Sequence, residues 1–396
     1  MDELKAQFKI VTPLFLGGAE TDTPELRPPS IKGAMRFWYR AIDPDYRKWE
    51  ERIFGSADAG QGSFLLRVKR PDVDFTSKDW QPCRYDTLET YHPNMPSNLT
   101  TDQQKTWILN GLRYLSYPFK MGDNNRKYIL PGARFVVEIL FKDQHDAVLK
   151  DQTEKAVKSS LWLLGHIGGL GSRSRRGFGT VALENDLPGL RRAHGVVGNS
   201  DAWFRAFTEG LNQIKGFFHG ALNADHTVIG ASSRFYLFKV GEDKKKKDTT
   251  DFSNWEMAIL KAGNVMQKFR MRRQPDYDNV KGHLVLKVGL KNPPERTAFG
   301  LPLTFRYSSM PSSITLPSSI TFMPASITFD RKDSDRNASS VHIRIVNIGG
   351  LCHPFYILLN APFVEVKGKG TSAMGPPSDT ILMNFFDEIL KPISVV

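Results

Sequence analysis

The stretch of this sequence best equipped to do chemistry is Gly168 to Gly179, GGLGSRSRRGFG. Gly169 and Gly171 stand at one end and Gly177 and Gly179 at the other, permitting positive φ and close backbone approach. Between them lie Arg173, Arg175 and Arg176. Backbone amides and guanidinium forks in such a loop suit phosphate oxygens, and nothing in it is placed to read a base edge. The expected order, helix before and strand after, reverses that of a dinucleotide-binding fingerprint, and no Gly-Lys-Ser/Thr follows as in a nucleotide-hydrolase phosphate loop.

A second segment, Arg27 to Arg40 (RPPSIKGAMRFWYR), predicts a helix capped by Ser30, with Gly33 leaving its first turn open to an anion. Lys32, Arg36 and Arg40 recur every four residues as a basic stripe. Met35, Trp38 and Ile42 form the apolar stripe beside it. A third cluster, Lys268 to Arg273, places Arg270, Arg272 and Arg273 at the end of another predicted helix. The conspicuous run Lys244 to Lys247 is flanked by acids and turn formers and is expected to be a solvated loop.

Candidates for catalysis are fewer. Of the nine histidines, His166, just before the glycine loop, is the best placed general base, with His92 second. A lone histidine at a helix C-terminus more commonly packs or complements the dipole, and that is the expectation for His166. The acids are scattered, and Cys83 and Cys352 belong to no ligand spacing. No metal, cofactor or disulfide framework is therefore expected.

The elements that must position these residues follow from the rest of the chain. It has 396 residues, 24% of them charged and 40% hydrophobic, which excludes global disorder and favours two domains. Lys and Arg exceed Asp and Glu, 54 to 42, for a net charge of +12, and the excess is shared between the halves. A polyanionic partner is the natural reading. No apolar run approaches the ~18 residues of a membrane span, and the charged, alternating N-terminus reads as a strand rather than a signal peptide, so a cytoplasmic location and no membrane partner are expected.

Strands are predicted at Phe8 to Leu16, Gln61 to Val68, Ala133 to Lys142 and Phe178 to Leu183, with helices from Ser30 and at Asp151 to Gly165. The polar stretch Asp72 to Asn110 is an insertion. The order β-α-β-β-α-β predicts an α+β, ferredoxin-like (RRM-like) domain over residues 1–197. A bridging helix, Asp201 to Leu222, leads into a second, more elaborate ferredoxin-like series over 198–396. That series has strands at Ser233 to Val240, His283 to Val288, Ala325 to Phe329, Val341 to Ile348 and Phe355 to Asn360, and helices at Asn254 to Arg273 and Asp379 to Leu390. No clear closing strand follows. Three tandem phrases beginning at Pro311, Pro317 and Pro324 read as a lengthened hairpin.

Together, ELRPPSIKGAMRFWYRA after the first strand and GLGSRSRRGFG before the last closely resemble the RAMP superfamily of CRISPR proteins. Within it the pattern is most similar to the first-subunit group of the type III-B (Cmr) RNA-guided effectors. FGLPLTF (Phe299 to Phe305) and RNASSVHIRIV (Arg336 to Val346) extend the likeness loosely into the second half, which has no glycine-rich loop of its own. The resemblance implies two ferredoxin-like domains. It also implies a non-catalytic, RNA-binding role in antiviral defence, holding guide RNA or single-stranded target RNA near the guide 3′ end beside other RAMP subunits. Ser30, Lys32, Gly33 and Arg36 would touch RNA phosphates, and Gly169 to Gly179 would lie against the backbone. The competing reading within the superfamily is a metal-independent endoribonuclease that processes guide precursor RNA with a histidine base.

Overall fold

The computed structural model describes residues 3–17, 23–69, 77–81, 87–120, 126–195, 199–222, 225–240, 252–286, 288–301, 303–307, 314–316, 319–321, 326–333, 337–368 and 371–390. The lysine run 244–247 and Cys83 lie outside them.

The first half builds a four-stranded antiparallel sheet from β1 (Glu3–Ile10), β2 (Phe64–Lys69), β3 (Arg134–Phe141) and β4 (Val181–Leu183). Its spatial order is β2-β3-β1-β4. Alternation sets the register: Leu4, Ala6, Phe8 and Ile10 are all buried, and Phe8 pairs with Phe135 with rings stacked at 5.3 Å. Helix α1 (Pro28–Arg40) follows β1, α2 (Tyr46–Phe54) follows α1, and α3 (Ala147–His166) follows β3. Asp146 caps α3, its carboxylate accepting from the amides of Val148 and Leu149.

Ser30 does not cap α1. The helix starts three residues earlier, with Pro28 and Pro29 in its first turn and Arg27 at the cap position. Proline's fixed φ and missing N–H suit a first turn whose amides have no intrahelical partner, so the prolines nucleate the helix that the sequence reading placed after them. The apolar stripe does form, with Met35, Trp38 and Ile42 all buried.

The bridging helix α4 (Ser200–Lys215) leads to β5 (Arg234–Leu237) and α5 (Trp255–Arg270). Residues 283–286, expected in a strand, instead complete helix α6 (Asp276–Leu286). Val280 and Leu284, one helical turn apart, are its buried side, whereas Leu286 and Val288 are exposed. Val280 and Leu284 pack against the strand residues Phe305, Ile327, Phe329 and Val366, so this segment covers a sheet rather than joining one. Strands β6 (Leu303–Arg306), β7 (Ser326–Arg331), β8 (Val341–Ile348), β9 (Leu351–Leu358), β10 (Val366–Gly368) and β11 (Ala373–Met374) precede helix α7 (Thr380–Asn384), which continues as a π-helical segment over Phe385–Leu390. They form two antiparallel sheets, β8-β9-β5 and β6-β7-β10-β11. Gly349 and Gly350, with φ of 59° and 87°, make the two-residue turn between β8 and β9. The first two tandem phrases pair as a small hairpin, Ile314–Leu316 with Ser319–Thr321, and the third supplies β7.

The halves share their cores. Val346, Ile348, Phe355 and Ile357 pack with Trp203 and Phe207 into the cluster beneath the first sheet, while Phe15, Trp80 and Phe178 join Ile259 and Ile343 in a second. The helix Gly111–Ser116 that follows the insertion crosses α5 so closely that a Cβ at Gly263 would stand 2.1 Å from the Gly111 carbonyl oxygen.

Candidate nucleic-acid interface

The glycine loop is pinned rather than pliant. The amides of Leu170, Ser172, Gly177 and Gly179 donate to the carbonyls of Gly179, Phe15, Ile343 and Pro13, all at 2.8–2.9 Å. Two glycines are obligatory. Gly171 (φ 76°) and Gly179 (φ 62°) lie in the left-handed region, where a Cβ would stand 2.3 Å from Phe15 O and 1.9 Å from Leu170 O. The backbone is thus spent largely on holding the loop's shape. Phosphate recognition, where it occurs, falls to side chains.

Those side chains divide. Arg176 turns inward, donating from Nη1 to Val341 O and from Nη2 to Phe299 O, both at 3.0 Å. Burial, with Arg270, Arg173 and Arg175 nearby, lowers its guanidinium to about 9, still charged at neutral pH. Arg175 lies across the Phe37 ring at 5.0 Å and donates to Ser339 O at 2.8 Å. Arg173 adopts φ 61° at the loop tip, and its side chain makes no ion pair among the described residues.

On α1 the basic stripe faces α2. Glu50, buried on α2, holds Arg36 (Nε 3.1 Å) and Arg40 (Nη2 2.7 Å), and Arg36 also donates to Gly55 O. Lys32 lies 5.1 Å over the Phe64 ring with no carboxylate partner among the described residues. Burial, Arg36 and Lys142 all lower its ammonium pKa. Arg27, at the cap, faces Glu25 at 4.0 Å.

The two segments singled out in the sequence meet along the other edge of α1. Ser30, Ala34, Phe37 and Trp38 face Gly169, Gly171, Ser174, Arg175 and His342 across a cavity of about 220 Å³. A second cavity of about 250 Å³ continues past Phe37 and Arg175 to Arg40, with Asn337 and Ala338 on its far wall. The pair forms a furrow along α1, with Arg175 over Phe37 at its middle. Gly33 is exposed on α1, with nothing within 4 Å of where its Cβ would be.

Of the third cluster, only Arg270 reaches this region. It donates to Tyr114 Oη at 2.6 Å and lies 5.1 Å over Phe299, the residue whose carbonyl holds Arg176. Arg272 instead stacks on Trp107 at 4.0 Å and Arg273 on Phe269 at 4.1 Å.

His166 is fully buried and stacked on Trp162 at 3.8 Å. Its Nε2 accepts from the Ala193 amide at 2.9 Å, so Nδ1 donates to Trp162 O at 2.7 Å. With both nitrogens engaged and burial holding it neutral, it cannot take a proton from a substrate. His92 is also buried, its Nδ1 accepting from Asn94 N at 3.1 Å. Among the described residues no three His, Cys, Asp or Glu side chains converge as a metal site, and no helix is long and apolar enough to cross a membrane.

The sequence reading missed what the second half contributes. Arg344 on β8 is 1% exposed and directs its guanidinium at the carbonyls of Leu164, Gly165, Gly168 and Val181, the end of α3 and the flanks of the glycine loop. These include carbonyls a helix C-terminus leaves without intrahelical partners. His342, two residues earlier, walls the furrow. A residue of one half serving a loop of the other leaves no local pattern; only its place in HIRIV, an arginine among strand apolars, is a signal.

Residues 7–182 match the RAMP superfamily. Among curated relatives, the CRISPR system Cmr subunit Cmr1-2 of Pyrococcus furiosus is 26% identical over 206 residues, 46% of this chain and 96% of that protein. Cmr1-1 of the same organism is 31% identical over 171 residues, 40% of this chain and 41% of that one. The fold resembles the crystal structure of apo Cmr1 from P. furiosus, with a TM-score of 0.57 and 18% identity over 100% of this chain and 99% of that one. It also resembles a chain of the type III-B Cmr-beta complex bound to cognate target RNA, with a TM-score of 0.51 and 13% identity over 99% and 98%.

Proposed function

We propose, from the match of residues 7–182 to the RAMP superfamily, that this chain is an RNA-binding subunit of a type III-B CRISPR effector complex that holds guide or target RNA by its phosphates and does not cleave it. It would work beside other RAMP subunits. The observation that carries this reading is the furrow along α1, where two segments some 140 residues apart in sequence meet. Arg175 and Arg40 line it, while Lys32 lies on the opposite edge of α1 and Arg173 at the loop tip; Lys32, Arg173 and Arg175 have no carboxylate partner among the described residues. Charges not already neutralised by a carboxylate are those that bind phosphate without first breaking a pair. The inward-facing ring nitrogens of His166 favour binding over the histidine-base nuclease reading. We read the sheet order β2-β3-β1-β4 as one ferredoxin-like unit in residues 1–197, with a second in 198–396.

Gly33→Glu tests the path of the RNA. The space around Gly33 is open, so the protein is expected to keep its melting temperature within about 2 °C, while affinity for single-stranded RNA falls on the order of tenfold at low salt. Unchanged affinity would move the RNA off α1. Co-expression with the other effector subunits and a guide should give one co-purifying particle with RNA; isolation of this chain alone would contradict the subunit assignment.

A further inference from the structure

The first cavity of the furrow contains more than a phosphate needs. Arg175 gives it a cation, but much of its wall is aromatic. His342 lies 6.5 Å from Phe37 with ring planes 25° apart, and 6.0 Å from Trp38 edge-on. His342 is 4% exposed, and its Nε2 is buried with no hydrogen-bond partner among the described residues. A buried polar atom left so carries an unrelieved desolvation cost, which a ligand removes by supplying the partner. Burial, reinforced by Arg175 and Arg176, keeps the imidazole neutral, so it offers the cavity a hydrogen bond rather than a charge.

Size narrows the choice. About 220 Å³ is several times one water's ~30 Å³ share of liquid and below the ~300–1,000 Å³ of drug-sized ligand sites. A single planar heterocycle is the matching object. Recognition of single-stranded RNA commonly splays a base onto aromatic side chains and bonds its edge.

We propose that this cavity receives one unstacked nucleobase of the bound RNA, packed against Phe37 and Trp38, with a heteroatom on its edge hydrogen-bonded to Nε2 of His342. The inference rests on the RNA-binding reading and adds to it a position at which the base matters. One hydrogen bond discriminates weakly among four bases. The site therefore prefers a base over no base more than it prefers one base over another.

The test uses the full chain and a single-stranded RNA carrying 2-aminopurine, then an abasic residue, at each position in turn, with the salt dependence of intact RNA binding measured in parallel. One position should show a fluorescence change on binding, and an abasic residue there should weaken binding about tenfold, within the range of a base stacked on aromatic side chains. His342→Ala should lose affinity for intact RNA but not for the RNA abasic at that position. Ala34→Leu, which fills the cavity from α1, should do the same and serves if the histidine variant does not fold. If abasic residues cost nothing anywhere while the salt dependence is normal, the base pocket is wrong and the phosphate reading stands. If RNA does not bind at all, both fall. If free 2-aminopurine ribonucleotide binds as tightly as the oligonucleotide, the cavity belongs to a small nucleotide and the proposal is overturned.

Discussion

Arg344→Ala is expected to destabilise the protein by about 3–5 kcal/mol and to lower its melting temperature by roughly 5–10 °C, checked by thermal unfolding followed by circular dichroism. The size follows from what the guanidinium does. Four carbonyls, from Leu164, Gly165, Gly168 and Val181, converge on its two Nη atoms in a site closed to water. Truncation leaves buried acceptors without donors, at about 1–3 kcal/mol each before relaxation. Arg344→Lys should fall between, because one ammonium cannot address carbonyls spread across a planar fork. A melting temperature within 2 °C of wild type for the alanine variant would mean that the glycine loop is held without Arg344.

Arg176→Ala should cost about 2–4 kcal/mol and loosen the joint between the halves. Its guanidinium ties Val341 O to Phe299 O, while the adjacent backbone pairs with β8, Gly177 N donating to Ile343 O and Ile343 N to Arg175 O. With the side chain gone, hydrogen exchange should accelerate at the Gly177 and Ile343 amides well before the β1–β3 ladder is affected. Unchanged protection there would show that the backbone pairing alone carries the joint. An effect of this variant on RNA binding then follows from the loop's position rather than from a lost phosphate contact.

Local pattern was the legible part of this molecule. The 3.6-residue period of Met35, Trp38 and Ile42 and the apolar run of β8 each announce an element, and the elements appear, whereas the strand expected at Phe8 to Leu16 runs instead over Glu3–Ile10. The failures have specific causes. Pro28 and Pro29 precede a good cap residue and so read as lying before the helix, although proline is at home in a first turn. The run from His283 to Val288 alternates like a strand, but the buried Asp276 carboxylate anchors its helix, accepting from the amides of Glu295 and Arg296. The two basic segments were legible as phosphate-binding candidates, yet which arginine faces which way was not. Arg176 and Arg175 are neighbours with opposite fates, decided by Val341 and Ser339 far along the chain. His342 and Arg344 meet their partners across long sequence separations, so no short window contains both, whereas Glu50 lies only ten residues from Arg40 but on a separate helix.

The central claim, that RNA phosphates lie on the cations of α1 and the glycine loop, is tested most directly by the slope of log Kobs against log salt concentration for single-stranded RNAs of unrelated sequence. Each phosphate contact contributes about 0.7 to that slope, so the triple variant Lys32→Ala, Arg173→Ala, Arg175→Ala should reduce it by about 2, equally for every sequence, while circular dichroism remains native. An unchanged slope in a folded triple variant would place the RNA elsewhere on the molecule.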